Sequence, residues 1–307
     1  MNTWDEHLES STVKHSFPIS AIAVDDSNIY STAGDGQLIV LNKFDLSHIN
    51  TIQVSDSDLL CITLDGKYVY TGAVYSDGQL RIWDKDGTTL LNSLEDRTCS
   101  ILSLSSSKGL LIAGTSDGSI SIWSKPDWNR IAEIRTEQHI LLSTTIDEAY
   151  IYAGGLGNCV SVYTRSNHEH VTNLIGHDAN VLSLAVDDRF VYSGSGEIWW
   201  GGPGSPRPPS FESAIRVWDK QSWECIAILS GHTDNVNALA IDDISIYSVS
   251  DDDSLRIYKK SDWSQVAVMD RGLGVVKALA CDVENIYIGD AQGKVIKIPK
   301  SAVLQPR

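Results

Sequence analysis

Residues 181–219 read VLSLAVDDRFVYSGS (181–195), then GEIWWGGPGSPRPPSFES (196–213), then AIRVWD (214–219). The first and third pieces form a pattern that recurs along the chain, whereas the middle piece occurs once. Aligning the pattern on Asp187 places Asp25, Asp65, Ser107, Asp147, Asp242 and Asp282 in the same column, at intervals of 40, 42, 40, 40, 55 and 40 residues. Two departures, a two-residue excess near Val74-Tyr75 and a 15-residue excess after Ser195, interrupt an otherwise constant period of 40. A period this regular marks repeats of one supersecondary unit and argues against separate domains.

Within each period the residues alternate as strands do. Four positions before the aligned residue stand Ala21, Cys61, Ser103, Ser143, Ser183, Ala238 and Ala278. Two positions before it stand Ala23, Thr63, Ser105, Thr145, Ala185, Ala240 and Ala280. One face of this first strand is therefore short in every copy, as expected where seven copies converge on a crowded axis. A second strand carries Tyr30, Tyr70, Tyr152, Tyr192, Tyr247 and Tyr287 five positions after the aligned residue, with Ile112 in the third copy. Asp35-Gly36, Asp77-Gly78 and Asp117-Gly118 are hairpin turns. The third strand ends at Leu41, Trp83, Trp123, Tyr163, Trp218, Tyr258 or Ile298, and a fourth opens with Trp128, Trp223 or Trp263 in three copies. Each repeat reads as a four-stranded antiparallel meander, and nothing between repeats reads as a helix.

Trp83-Asp84 and Trp218-Asp219 at third-strand ends, Gly176-His177 and Gly231-His232 before the fifth and sixth first strands, and the Asp-Gly turns together resemble the WD40-repeat family. The resemblance covers essentially the whole chain. It implies an all-β fold: one seven-bladed β-propeller, residues 1–307, in which each outermost strand opens the next sequence repeat. It also implies a structural role for His177, Ser193, Trp218, His232, Trp83 and Trp123, through the family's His–Ser/Thr–Asp–Trp hydrogen-bond set. The set is incomplete here: the insertion replaces the Asp-Gly turn of the fifth copy, and His232 meets Tyr258 instead of tryptophan. Apolar packing must then supply most of the stability. The last repeat lacks its outer strand, and the segment at about 10–17 is expected to complete blade 7 and close the ring.

In such a ring the second-to-third and fourth-to-first strand connections share one face. The long loop at 196–213 in blade 5 falls there, with Trp199, Trp200, Arg207 and Phe211, beside loops carrying Lys14, His15, Arg97, Glu137, His139, Arg271 and Lys277. Adjacent tryptophans in a Gly/Pro-rich loop either fold back over blade edges or present a hot spot to a partner. The basic members of the set could form an anion-binding rim. Lys277 is the exception in its column, where the other copies carry Leu or a small polar residue.

The net charge of −16 disfavours nucleic acid and anionic membranes as partners. The N-terminus MNTWDEHLESS shows neither a basic nor an apolar signal region, and no apolar run approaches a membrane span. Cys61, Cys99, Cys159, Cys225 and Cys281 form no CxxC, which fits reduced thiols in the cytoplasm. Gly114–Gly118 matches G-x-S-x-G, but that mechanism needs a strand–turn–helix and this segment is a hairpin turn. Asp251-Asp252-Asp253 lacks the spacing of a calcium loop, and the histidines lack zinc-binding spacing, so no metal or other cofactor is expected. The expected function is a non-enzymatic scaffold, monomeric by itself, binding a protein or peptide on the insertion-bearing face. The alternatives are a propeller hydrolase or lyase using the central channel, or a subunit of a larger complex without its own ligand.

Overall fold

A computed structural model describes residues 8–74, 78–86, 89–95, 99–197, 213–270 and 273–304. They form seven four-stranded antiparallel sheets, each with strands in the order a-b-c-d from the axis outwards. The innermost strands are Ile19–Val24, Leu59–Leu64, Ile101–Ser107, Leu141–Ile146, Asn180–Val186, Val236–Ile241 and Ala278–Cys281. A short helix, Lys300–Val303, follows the last strand, Val295–Pro299, and was not anticipated by the repeat pattern.

The core lies between blades. Tyr30, Leu38 and Val40 of blade 1 pack with Leu59, Ile62, Val69 and Trp83 of blade 2. Tyr152, Val160 and Val162 of blade 4 meet Val181, Val191 and Trp218 of blade 5 in the same way. Both faces of a middle strand are thus covered, which is why strands such as Tyr150–Gly155 are buried almost throughout. The small residues of strand a serve these seams. Ser103 Oγ lies 3.0 Å from Thr144 Oγ1 of the next blade, and Ser183 Oγ donates to Val236 O at 3.0 Å. The crowding foreseen at the axis is therefore located in the seams beside it.

What faces the channel is set by a bulge. In six blades the register slips near the start of strand a, after its first residue in five, as between Ile19 and Ala21 or Leu141 and Ser143, and after its second, Val181, in blade 5. A bulge leaves one residue unpaired and re-aims its side chain. Here the extra residues are Ser20, Leu60, Leu102, Leu142, Leu182 and Asn237.

Ring closure follows the expected route over a shorter strand. Glu9 and Ser10 pair with Lys297 and Ile296, completing the sheet of blade 7. Beyond that pair, Ser11 N and His15 N donate to Val295 O and Gly293 O, both at 2.9 Å. Trp128, Trp223 and Trp263 do not open strands d, which begin at Arg130, Cys225 and Gln265. They occupy the preceding turn with φ of 51°, 61° and 63°.

Candidate binding face

The b–c turns and the d–a loops meet at one end of the ring, here called the top. Gly36 has φ +70°, and a Cβ there would lie 2.0 Å from Ser55 O in the following d–a loop. Gly118, with φ +79°, stands in the same relation to Gln138 O at 1.9 Å. Only glycine permits both the conformation and the approach.

Buried polar sets pin these loops. In blade 6, His232 Nδ1 lies 3.0 Å from Asp252 Oδ2 and Nε2 lies 2.8 Å from Ser248 Oγ, while Tyr258 donates to Ser230 O at 3.3 Å. In blade 5, Trp218 Nε1 donates to Ser193 Oγ at 2.8 Å, and that hydroxyl lies 2.6 Å from His177 Nε2. Trp83 repeats the indole contact on Thr71 in blade 2, at 3.0 Å. Trp123 is buried in the apolar seam between blades 2 and 3. Burial, reinforced by the Arg216 charge, lowers His177 to a pKa of about 4. Burial also lowers His15 and His232, against the opposing pull of their carboxylate partners.

His15 belongs to this structural group and not to a rim. It is 1% exposed, with Nδ1 3.0 Å from Asp35 Oδ1 and Nε2 3.0 Å from Ser31 Oγ. Its ring has nothing left to offer a partner. The sequence pattern missed this set because blade 1 ends strand c in Leu41 and lacks the tryptophan.

At the centre of the top face, the bulge residues surround a cavity of about 670 Å³. Leu60, Leu102, Leu142 and Leu182, from four successive blades, form an apolar arc, and Ser20, Asn237 and Lys277 complete the ring. Phe17, Val275, Asp58, Glu197 and Asp251 stand around the mouth. The volume falls within the range of ligand pockets. Asp251 is fixed by Asn235 Nδ2 at 3.0 Å and Asn237 Nδ2 at 2.6 Å, while Glu197 N donates to Asn235 Oδ1 at 2.7 Å. These bonds anchor the first residues of the blade-5 insertion against the mouth. Burial, with the Asp178 charge added, raises the Glu197 carboxyl above its ordinary pKa.

Of the residues singled out in the sequence, Lys277 lines this cavity, whereas Lys14, Glu137 and His139 are exposed on loops. Trp199, Trp200, Arg207, Phe211, Arg97 and Arg271 lie outside the described residues. Among the described residues of the lining, the carboxylates of Asp58, Glu197 and Asp251 stand with the ammonium of Lys277. Among the described residues no cluster of three His, Cys, Asp or Glu could hold a metal. The acidic run of blade 6 is divided: Asp251 holds the two asparagines, Asp252 holds His232, and Asp253 turns the chain at φ 63°. Ser116 in the G-x-S-x-G match accepts a bond from Ser100 N at 3.1 Å, within a hairpin.

The opposite face carries a second periodic set that the sequence reading missed. Each aligned Asp accepts a bond from the tyrosine five residues later, such as Tyr152 to Asp147 at 2.8 Å. It also pairs with a lysine of the next blade: Lys125 with Asp65 (2.8 Å), Lys220 with Asp147 (2.5 Å), Lys260 with Asp187 (2.7 Å), Lys300 with Asp242 (2.5 Å), Lys43 with Asp282 (3.1 Å) and Lys85 with Asp25 (3.6 Å). The signal was present, since a basic residue stands two positions after the end of strand c in all seven copies. The third copy changes as a unit: Ser107 and Ile112 replace Asp and Tyr, and Arg165 from blade 4 reaches Lys108 O instead.

The family model for the WD40 domain, the G-beta repeat, matches residues 47–84, 88–124 and 223–259. Solved structures that share the fold include three examples. U3-55K superposes with a TM-score of 0.82 at 14% identity, covering 96% of this chain and 98% of that one. The WD40 β-propeller domain of Doa1 gives 0.80 at 18%, covering 96% of each chain. The computationally designed Ika8 protein gives 0.72 at 20%, covering 94% of this chain and 98% of that one. No curated protein matches the chain in sequence.

Proposed function

We propose that this chain, a WD40-repeat β-propeller of seven blades, is a non-enzymatic scaffold that takes a protein or peptide at the mouth of its channel. Propellers of this family commonly serve as protein-interaction scaffolds. The observation that carries the reading is the leucine-lined cavity with its carboxylate rim, joined through Glu197 to the insertion. An apolar floor rewards burial of a side chain, while Asp58, Glu197 and Asp251 favour a partner segment carrying basic residues. Trp199 and Trp200 on the adjoining loop would extend the contact.

The net charge of −16 is unfavourable to nucleic acid, and no helix among the described residues is long and apolar enough to cross a membrane. The five free cysteines fit a reducing compartment, the cytoplasm, and the scaffold is taken as monomeric by itself. The test is a pull-down from native lysate comparing the wild type with Trp199→Ala/Trp200→Ala and with Leu102→Asp/Leu142→Asp. Both variants are expected to lose the partners retained by the wild type. Identical partner sets would contradict the reading.

A further inference from the structure

At three seams on the bottom face, a ring of one blade is capped by an indole from the next. Tyr68 meets Trp128, Tyr150 meets Trp223 and Phe190 meets Trp263, each edge-on with centroids 5.1 Å apart. Each tryptophan sits three residues beyond the cross-blade cation, in the left-handed turn before strand d. Where blade 7 meets blade 1, the two equivalent positions hold Asn285 and Leu46. Leu46 keeps the left-handed turn at φ 57° but lies buried in the apolar core. No aromatic pair closes this seam, and a groove of about 490 Å³ opens there.

Phe44 and Val283 stand at the groove, 69% and 91% exposed, with Val24 also in its wall. Asp25, Asp26, Asp282 and Glu284 contribute carboxylates. The two cations of the lining are already engaged, Lys43 with Asp282 at 3.1 Å and Lys297 with Glu9 at 3.1 Å. Asp26 and Glu284 are exposed, and neither forms an ion pair among the described residues. The groove thus combines an apolar wall with uncompensated negative charge, on the face opposite the channel mouth.

We propose that this closing seam is a second docking site, which takes a partner peptide presenting an aromatic side chain flanked by basic residues. The ring fills the place that an indole of the chain itself fills at three other seams, and the cations meet Asp26 and Glu284. Neither feature depends on the top face.

The test uses the full chain with labelled valine and leucine methyls, titrated with blocked Arg-Trp-Arg, Arg-Ala-Arg and Glu-Trp-Glu tripeptide amides. Saturable shifts of the Val24 and Val283 methyls are expected with Arg-Trp-Arg, and binding weaker by about tenfold or more with the other two. Asp26→Lys/Glu284→Lys, at two exposed positions that leave the core intact, should abolish the response. Equal responses to Arg-Ala-Arg, or an unchanged response in the double variant, would overturn the proposal. So would shifts confined to Leu142 at the channel mouth. A response seen only in Trp4→Ala would overturn it by identifying the chain's own N-terminal segment as the occupant. Self-association abolished by Val283→Asp would overturn it in favour of a second copy.

Discussion

Ser193 joins two buried rings, accepting from Trp218 Nε1 at 2.8 Å while lying 2.6 Å from His177 Nε2. Ser193→Ala removes the shared hydroxyl and leaves both nitrogens without that bond, which should cost about 2 kcal/mol in urea unfolding. The histidine gives this set a pH dependence. His177 falls from 6.5 to about 4 through burial and then the Arg216 charge, so between those values the unfolded chain binds a proton that the native state does not. Stability is accordingly full above pH 6.5, declines as the pH falls, and has lost roughly 3 kcal/mol from this residue by pH 4. His15 and His232 are lowered as well and act in the same direction. Unfolding free energies measured across this window should slope less steeply in His177→Phe than in the wild type. His177 and Trp218 were legible as structural residues because the Gly-His and Trp-Asp pairs mark them. His15 was not, because its set lacks the tryptophan that makes the pattern visible.

At the scale of the blade, the cross-blade clamp carries a stability term distinct from apolar packing. In Asp147, burial raises the pKa, but bonds from Lys220, two amides and Tyr152 outweigh it and hold the carboxyl below its ordinary range. Asp242 is held at about 2 by the corresponding balance of burial against Lys300 and Tyr247. A carboxylate lowered in this way contributes stability above its unfolded value near 3.8, and that contribution is lost as the pH falls through the folded value. Lys220→Met leaves a half-buried Asp147 without its cation and should cost about 2 kcal/mol, shifting acid unfolding to higher pH. Arg189→Ala, which breaks a pair whose arginine is 75% exposed, should change stability by less than about 0.5 kcal/mol. The aligned Asp and Tyr columns were evident from periodicity, and the lysine column was equally periodic but lay outside the strands that defined the repeat. The turn tryptophans show a different limit. A bulky residue at positive φ is rare, and Trp223 is held there by its amide hydrogen bond to Asp219 O at 2.7 Å and by the Tyr150 ring of the neighbouring blade.

For the whole ring, the period of 40 determined blade number, strand order and the closing segment, because each repeat must bury both faces against its neighbours. Deleting residues 1–15 removes the Glu9–Ser10 strand and the buried His15 set, and should lower stability by more than about 4 kcal/mol in thermal or urea unfolding. The binding face was legible only in outline. Topology put the insertion on the top, and Lys277 marked the channel-lining column. The bulges that turn Leu60, Leu102, Leu142 and Leu182 inwards are set by strand register, which residue alternation does not encode. A partner at this mouth is the central claim, and a photo-crosslinker placed at single positions tests it most directly. Benzoylphenylalanine replacing Leu142 at the mouth, compared with the same group replacing the exposed Ile244 on the opposite face, should capture the partner in native lysate from position 142 and not from position 244. Capture from position 244 alone would contradict the account.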